Sequence, residues 1–312
     1  MSHIGIVIRT LREKQGLTRQ DLAKNICTEK YVYLIEKGER TPSADILKSF
    51  NAVLRKNLFS YFEFLCCKNP VETHDIIMKM HTFTRNNNFK SLIEFNNKIR
   101  NYNDFRSPPW KYYIILNDFV EQILVKHEYK KVVSNIKSFL KTVPQKYMED
   151  EYIIKIYILL STCYQHNNKN DEAKILLDKA EEIVFRKNPQ YFNDNVFISV
   201  LLNKMTFCHF TNDFDSAIKA GLKLMSLMDQ MSTYQQSSFA YYYLAYAYYK
   251  KGCIEEALEW FEKCLYELLL HKDEIAAYYI KNYNGFKNMF QNQRIPEFLR
   301  QKFANKYKLI QW

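Results

Sequence analysis

A short stretch near the N-terminus, from Leu17 to Gly38, constrains the fold of this chain more than any other part of its sequence. Thr18 is a preferred helix N-cap, and Asp21 three residues later completes a capping-box-like pair. Thr28 can cap a second helix, and Gly38 stands where that helix needs a left-handed residue at its C-terminus. Because the connection between the two helices is long enough only for a bend, the stretch predicts a helix-turn-helix.

The segments around this motif also have helical patterns. Apolar residues recur every three or four positions over 4–14 and 44–54, which predicts one helix before the motif and another after it. A fifth helix is predicted over 58–67, where Lys68-Asn69-Pro70 then breaks the pattern. We therefore place a domain boundary at the break. The predicted domains are 1–67, the helix-turn-helix domain, and 71–312, a second domain.

The second helix of a helix-turn-helix enters the DNA major groove, and the side chains of its first turns reach the base edges. In this chain those side chains belong to Glu29, Lys30, Tyr31 and Tyr33. The charge balance agrees with a DNA partner, since 45 Lys and Arg residues face 34 Asp and Glu residues and the sequence pI is about 9.1. Charge alone would also fit an anionic membrane, and the motif decides for DNA.

The N-terminal stretch resembles the phage-repressor-like helix-turn-helix family. The matching segments are Arg12-Glu13, Gly16-Leu17-Thr18, Ile35-Glu36-Lys37-Gly38-Glu39-Arg40 and Thr41-Pro42-Ser43. The resemblance implies that Glu29 and Lys30 read bases and that Arg19 and Arg40 hold phosphates. The DNA-binding residues that we expect are Thr18, Arg19, Thr28, Glu29, Lys30, Tyr31, Tyr33 and Arg40.

The second domain carries a weak internal repeat. Its clearest copy contains Tyr241, Leu244, Ala245 and Tyr248, followed by Ala257, and it fits the tetratricopeptide pattern of bulky residues on one helix and a small residue where two helices touch. Equivalent positions recur every 40 to 44 residues. These anchor positions are Leu92, Val132, Ala173, Ala217, Ala257 and Phe298. We therefore predict an all-α protein in which the helix-turn-helix domain is followed by a right-handed, tetratricopeptide-like helical solenoid.

No motif of catalytic or cofactor chemistry is found in the sequence. It contains no Gly-rich phosphate loop and no His-Glu-x-x-His, and its seven cysteines form no Cys-x-x-Cys pair. The adjacent Cys66 and Cys67 could be redox-active, although packing is the usual role of cysteines in a reducing cytosol. We expect a non-enzyme that needs no cofactor or metal. No segment has the features of a secretion signal or a membrane span, which predicts a cytoplasmic protein.

A helix-turn-helix joined to long tetratricopeptide-like repeats resembles the peptide-pheromone-sensing transcription regulators of Gram-positive bacteria, the PlcR, PrgX and Rgg type. The resemblance is specific over the first 55 residues and architectural over the rest. It implies a homodimer that binds a palindromic operator. It also implies that a short linear signal peptide, as in quorum sensing, occupies the concave groove of the repeats and changes how the dimer engages DNA.

Helical phase predicts which residues line that groove, since the concave face of a tetratricopeptide pair comes mostly from the first helix. Asparagine side chains suit peptide capture because they both donate to and accept from a peptide backbone, and aromatic rings add buried area. The peptide-binding residues that we expect are Asn117, Glu121, Lys155, Thr162, Gln165, Asn203, Thr206, Tyr242, Tyr246, Asn282 and Lys287.

Two other functions fit the same sequence. One is a ligand-independent repressor of the phage or plasmid type, whose repeats serve only dimerisation. The other is an adaptor whose repeats bind a protein partner, with the N-terminal domain secondary. Titration with short peptides separates the first alternative from a peptide receptor, and operator binding at physiological salt separates the second.

Overall fold

A computed structural model describes residues 3–86, 88–186, 194–234, 236–271, 277, 280–283 and 285–307. All regular structure in these ranges is helical, as the sequence predicts. In the first part of the chain the helices are α1 Ile4–Lys14, α2 Arg19–Ala23, α3 Glu29–Lys37, α4 Ala44–Leu54, α5 Pro70–Arg85, α6 Phe89–Ile99 and α7 Lys111–Val120. They are followed by α8 Tyr129–Thr142, α9 Glu151–His166, α10 Asn170–Arg186, α11 Asp194–Phe210, α12 Phe214–Met231, α13 Ser237–Lys250, α14 Ile254–His271, α15 Phe286–Phe290 and α16 Glu297–Lys306.

The chain divides into two compact units, Met1–Ile114 and Ile115–Trp312. The break that the sequence shows at residues 68–70 lies inside the first unit. There the Asp104 carboxylate accepts hydrogen bonds from the backbone N–H groups of Lys68 and Asn69 at 2.8 and 3.0 Å. The hydroxyl of Thr73 donates to the same carboxylate at 3.0 Å. This bonding ties the segment after the helix-turn-helix to a later turn of the same unit.

The first four helices fold around one apolar core that includes Ile8, Leu22, Ile35 and Phe50, each with no exposed surface. Helices α1 and α3 approach closely at Gly5, where a Cβ atom would lie 1.8 Å from the carbonyl oxygen of Ile35. Only a residue without a side chain allows this approach. The predicted bounds of the helices at 4–14 and 44–54 are confirmed.

The fifth predicted helix, over 58–67, is wrong in type. Residues Leu58–Phe64 form a 3-10 helix, because the residues that become buried are spaced by three. Leu58, Tyr61 and Phe64 are buried, whereas Phe62, which the α-helical pattern places inward, is 46% exposed. A spacing of three keeps one face inward in a 3-10 helix but drifts around an α-helix.

The second unit consists largely of antiparallel helix pairs, α9 with α10, α11 with α12 and α13 with α14. Five of the six anchor positions, four in this unit and Leu92 in the first, are fully buried, and each is the fourth residue of its helix. These positions are Leu92, Val132, Ala173, Ala217 and Ala257. The sixth, Phe298, is wrong, since its side chain is 59% exposed and its neighbour Leu299 is buried instead. Helix α16 is therefore out of register with the other copies by one residue.

The two layers of these helix pairs are packed differently. The first helices α9, α11 and α13 contact one another in sequence order, whereas α10 and α12 hardly touch. Small residues allow close packing between neighbouring helices, and at Gly221 on α12 a Cβ atom would lie 2.6 Å from the side chain of Leu244 on α13. First helices in contact and second helices apart give a curved stack with the first helices on its inner side. Within the described ranges no helix has the length and apolarity needed to cross a membrane.

Candidate functional site

The start of α3 is capped by a side chain and exposed to solvent. The Thr28 hydroxyl accepts a hydrogen bond from the backbone N–H of Tyr31 at 3.2 Å, as the sequence predicts. Glu29 and Lys30 occupy the first turn of α3 and are exposed. Tyr33, one turn further, is 36% exposed, whereas Tyr31 is partly buried with its hydroxyl 3.5 Å from the carbonyl oxygen of Thr41. The first turns of α3 therefore present their polar side chains outward.

The capping box of α2 is confirmed. The backbone N–H of Asp21 donates to the Thr18 hydroxyl at 3.1 Å, and the backbone N–H and hydroxyl of Thr18 donate to the Asp21 carboxylate at 2.8 and 2.6 Å. Those hydrogen bonds, the one from the hydroxyl first, hold the pKa of Asp21 below its usual value. The hydroxyl of Thr18 is therefore already engaged in fixing the start of α2.

Glu36 joins the two helices of the motif to the preceding helix α1, a role that the sequence analysis did not assign. Its carboxylate accepts from Arg12 Nε at 2.6 Å and from Arg19 Nε at 2.6 Å. Arg12 also donates to the Leu17 carbonyl oxygen at 2.8 Å. The side chains of Arg12 and Glu36 are 8% and 2% exposed, and the hydrogen bond to Glu36 raises the pKa of the Arg12 guanidinium. In the sequence, Arg12 and Glu36 are charged residues at positions where the helical pattern expects apolar ones, and this could have indicated a buried pair.

Two cationic side chains lie against the exposed ring of Tyr33. The guanidinium of Arg19 lies 5.2 Å from the ring centroid, and the ammonium of Lys37 lies 4.8 Å from it. Lys37, which sequence reasoning did not include, is exposed on the same helix as Lys30. Arg40 follows α3 and is also exposed. The compact unit that holds these residues has 19 basic and 11 acidic residues, a net of +8 out of the +11 of the whole chain.

The predicted groove residues on the first helices are mostly half-buried. Lys155, Thr162 and Gln165 follow one stripe of α9, Asn203 and Thr206 follow one stripe of α11, and Tyr246 lies on α13. Glu121 is half-buried after α7, and Asn282 and Lys287 are exposed near α15. Helices α9, α11 and α13 bring the first six of these residues to neighbouring positions of one layer.

The polar side chains in this layer differ in whether they retain a hydrogen-bonding group for a ligand. The side-chain hydroxyls of Thr162 and Thr206 donate to carbonyl oxygens of their own helices at 3.2 and 2.9 Å. The Asn203 amide donates to the Ser199 carbonyl oxygen at 2.8 Å and has a second N–H and its oxygen to offer. Lys155 is paired with Glu151, and the Glu121 carboxylate is paired with Lys126 at 2.8 Å. Lys155 is therefore already paired and is not a free cation for the carboxylate of a peptide.

Two predicted groove residues, Asn117 and Tyr242, are buried, so we no longer place them in the groove. Their exposed fractions are 5% and 1%. Tyr242 packs with its ring centroid 5.2 Å from that of Tyr283, and burial raises the pKa of its hydroxyl. Helix α13 instead turns Tyr243 and Tyr246, spaced by three, towards the half-exposed side. With six tyrosines in nine residues, the sequence alone did not fix the helical phase.

An uncharged aromatic cluster adjoins Asn203 and Thr206 along the same helix. The ring of His209 lies 4.8 Å from Tyr243 and 5.4 Å from Tyr246, between ring centroids, and its Nε2 is 2.8 Å from the Tyr243 carbonyl oxygen. Burial lowers the pKa of His209 to about 4. The ring is therefore neutral at pH 7, with Nε2–H donating to that carbonyl. This end of the layer offers aromatic surface around a neutral histidine, and the ammonium of Lys250 lies 5.9 Å from the Tyr246 ring centroid.

Together these features define a class of protein: a helix-turn-helix unit followed by curved helical repeats. Residues 8–59 match the family model described as Helix-turn-helix. No curated protein matches the chain. Several solved structures share its fold along most of its length.

PlcR from Bacillus thuringiensis, in complex with the peptide PapR7 and DNA, is 16% identical with a TM-score of 0.66, and the match covers 91% of this chain and 100% of PlcR. ComR from S. thermophilus, in complex with DNA and its signalling peptide ComS, is 17% identical with a TM-score of 0.55, covering 92% of this chain and 99% of ComR. The apo form of B. thuringiensis PlcR is 16% identical with a TM-score of 0.56, covering 88% and 98%. The predicted fold class is confirmed by these likenesses.

Proposed function

We propose that this protein is a sequence-specific, DNA-binding transcription regulator that is controlled by a short signalling peptide bound on the inner layer of its helix pairs. One observation carries the proposal. The chain shares its fold over 91% of its length with PlcR, whose crystal structure contains both a peptide and DNA. The exposed, capped start of α3 supports the DNA half of the proposal independently. A regulator of this kind would act in the cytoplasm, where bacterial DNA lies.

On DNA, Lys30 and Glu29 read base edges. A lysine ammonium donates to guanine O6 or N7, and a glutamate carboxylate accepts from cytosine N4. Arg40 and the terminal nitrogens of Arg19 contact phosphates and set the register of α3 in the groove. Lys37, which lies over the ring of Tyr33, adds a cation to the same surface. The +8 charge of the unit supports attraction to the phosphate backbone.

Because Asn117 and Tyr242 are buried, we revise the residues of the proposed peptide site. It keeps the half-exposed stripe of α9, α11 and α13 and replaces Tyr242 by Tyr243. The residues of the revised site are Lys155, Thr162, Gln165, Asn203, Thr206, Tyr243 and Tyr246. Asn203 ties down the peptide backbone, and the aromatic cluster around His209 takes an apolar or aromatic side chain. Outside this stripe, Glu121, Asn282 and Lys287 remain candidates for contacts with the peptide ends.

We also propose that the functional form is a homodimer. A single helix-turn-helix buries too little surface for tight operator binding, and dimers of such readers bind paired half-sites about one helical turn apart. A palindromic operator follows from a two-fold dimer. Sedimentation of the full-length chain at micromolar concentration tests this proposal, and a monomer in that experiment would contradict it.

The DNA half of the proposal is tested by selecting operators from a random pool with the full-length chain and then changing Lys30. Lys30→Ala should relax the preference at one base pair per half-site, at a cost of about 1–3 kcal/mol in binding free energy. Fluorescence anisotropy on selected and scrambled duplexes at physiological salt measures both affinities. Lys98→Ala is the matched control, because Lys98 is exposed on α6 of the same unit but outside the α2–α3 surface. An equal loss on both duplexes for Lys30→Ala would refute base reading by this residue.

A further inference from the structure

The helix pairs also form a cleft that the proposed function does not use. It lies between α10, α11 and α12 and has a volume of about 570 Å³. Sites that hold small molecules usually have volumes of about 300–1,000 Å³. The cleft arises because α10 and α12 hardly touch, although both pack against α11.

The cleft and the proposed peptide site lie on different faces of α11. Lys204, Phe207 and Cys208 line the cleft, whereas Asn203 and Thr206 belong to the peptide stripe. At roughly 100° per residue, the centres of the two stripes are about 120° apart around the helix. A ligand in the cleft would therefore not compete for contacts with a peptide on the inner layer.

The floor of the cleft is apolar and uncharged. Leu177, Phe207, Cys208 and Ala220 line it and are 1%, 6%, 5% and 7% exposed. Burial raises the pKa of the Cys208 thiol to about 11, so it stays protonated at pH 7. Such a floor favours a hydrocarbon surface on the ligand.

Most of the charges around the cleft are already compensated. At one end Lys204 is paired with Asp178 at 2.7 Å and with Glu181, and Lys223 is paired with Glu181 at 2.6 Å. Asp213 caps α12 through the backbone N–H of Ser216 at 3.1 Å. The carboxylate of Asp171 lies in the first turn of α10, where the helix dipole stabilises a negative charge.

Two cations at the cleft are not compensated in this way. Lys174 on α10 and Lys219 on α12 line the cleft and are exposed. Neither has an ion-pair partner among the residues that the structure describes. The Lys174 ammonium is near enough to Asp213 to add to the lowering of that carboxyl's pKa, which comes first from the hydrogen bonds of Ser216. An anionic group at the opening of the cleft would complement both ammonium groups while its apolar part covers the floor.

We propose that this cleft is a second ligand site, which binds a small amphiphilic monoanion: a carboxylate between Lys174 and Lys219, with an apolar chain on the floor formed by Leu177, Phe207 and Ala220. Such a ligand bridges the second helices of two successive pairs. It would hold α10 and α12 at a fixed separation and thereby brace the curvature of the stack.

The test is calorimetric titration of the full-length chain with octanoate, a probe that has both parts of the proposed ligand, and with 1-octanol, which lacks the charge. Octanoate should bind at least tenfold more tightly than 1-octanol, and the double substitution Lys174→Ala with Lys219→Ala should remove that advantage. Both lysines are exposed, so these substitutions should leave the fold intact. Lys169→Ala, at an exposed lysine just outside the cleft, is the matched control and should change nothing.

A substitution on the floor tests the apolar half of the site. Ala220→Leu should fill the floor and weaken octanoate binding at least tenfold, with a circular dichroism spectrum checked against that of the parent chain. Equal affinities for octanoate and 1-octanol, undiminished octanoate binding by the double lysine variant, or no binding at millimolar octanoate would each overturn the proposal. The outcome does not depend on the proposed function, because neither DNA nor a signalling peptide is present.

Discussion

At the scale of single residues, Glu36 connects the helices of the unit that we propose to bind DNA. Its buried carboxylate holds Arg12 of α1 and Arg19 of α2 while its own backbone belongs to α3. Helices α1, α2 and α3 therefore meet at one charge. The same contact aims Arg19 at the ring of Tyr33 on the proposed DNA surface. These contacts hold α3, the proposed reading helix, against α1 and α2.

Removal of the Glu36 charge should destabilise the fold. Glu36→Gln leaves the Arg12 guanidinium buried with only the half-exposed carboxylate of Glu13, 3.3 Å away, as a counter-charge, and breaking a buried pair typically costs about 3–5 kcal/mol. Urea unfolding followed by circular dichroism measures the change. Glu39→Gln is the control, since the Glu39 side chain is 56% exposed and lies 3.9 Å from Lys37, and it should change stability by less than about 1 kcal/mol. Similar losses for both variants would contradict the role of Glu36.

His209 should make the stability of the chain depend on pH in a defined window. Its folded pKa is lowered to about 4, whereas an unfolded histidine titrates near 6.5, so between these values the unfolded state binds the extra proton. Stability should therefore fall as the pH decreases from about 6.5 to about 4, with a contribution of about 3 kcal/mol from this residue. Carboxylates with lowered pKa values act in the same direction, which makes a variant necessary.

The control for this effect is His209→Gln, which keeps a side-chain N–H that can donate to the Tyr243 carbonyl oxygen but has no proton to gain. The free energy of unfolding of both chains, measured at pH 7.5, 6, 5 and 4, should converge as the pH decreases. Parallel curves for the two chains would show that His209 is not held neutral by the fold.

At the scale of secondary-structure elements, local chemistry made the first 55 residues predictable. The caps Thr18 and Thr28 begin the helices that they were expected to begin, Ser43 caps α4, and Gly38 adopts the left-handed conformation with φ of 80°. Each of these signals depends on neighbours within a few residues. The close approach of α1 to α3 at Gly5 depends on a contact distant in sequence, and no local pattern indicated it.

The errors have the same physical origin. The segment 58–64 could be an α-helix or a 3-10 helix by propensity, and tertiary burial of residues spaced by three decided between them. In α13 nearly every side chain is aromatic or small, so periodicity could not separate Tyr242, which is buried, from Tyr243, which is half-exposed. The partners of Glu36 lie on other helices, and a single sequence does not reveal such pairs.

The N-cap of α3 should matter for DNA binding as well as for stability. Thr28→Ala removes the side chain that accepts from Tyr31 N–H, and Ser43→Ala removes the equivalent cap of α4, which accepts from Ile46 N–H at 3.3 Å. Each substitution should cost about 1 kcal/mol in the free energy of unfolding. Only Thr28→Ala should lower affinity for the selected operator, because only α3 carries the proposed base-reading residues. Equal effects of both variants on DNA affinity would contradict that assignment.

At the scale of the whole molecule, the proposal requires that peptide binding and DNA binding influence each other. Repeats that touch mainly their neighbours can change curvature when a ligand bridges several of them. A peptide across α9, α11 and α13 bridges three successive pairs. It can shift the equilibrium between two shapes only by its difference in affinity for them, and such coupling is typically about 1–3 kcal/mol.

The most direct test of this account measures operator affinity with and without a bound peptide. Peptides that the full-length chain retains from culture medium of its source organism would be identified by mass spectrometry and synthesised. A saturating peptide should change the dissociation constant for the selected operator by about 5–150-fold, and the operator should change peptide affinity by the same factor. Asn203→Ala should remove the peptide effect while leaving the fold and the peptide-free operator affinity unchanged. A peptide that binds without altering operator affinity, or a chain that retains no peptide, would contradict the account.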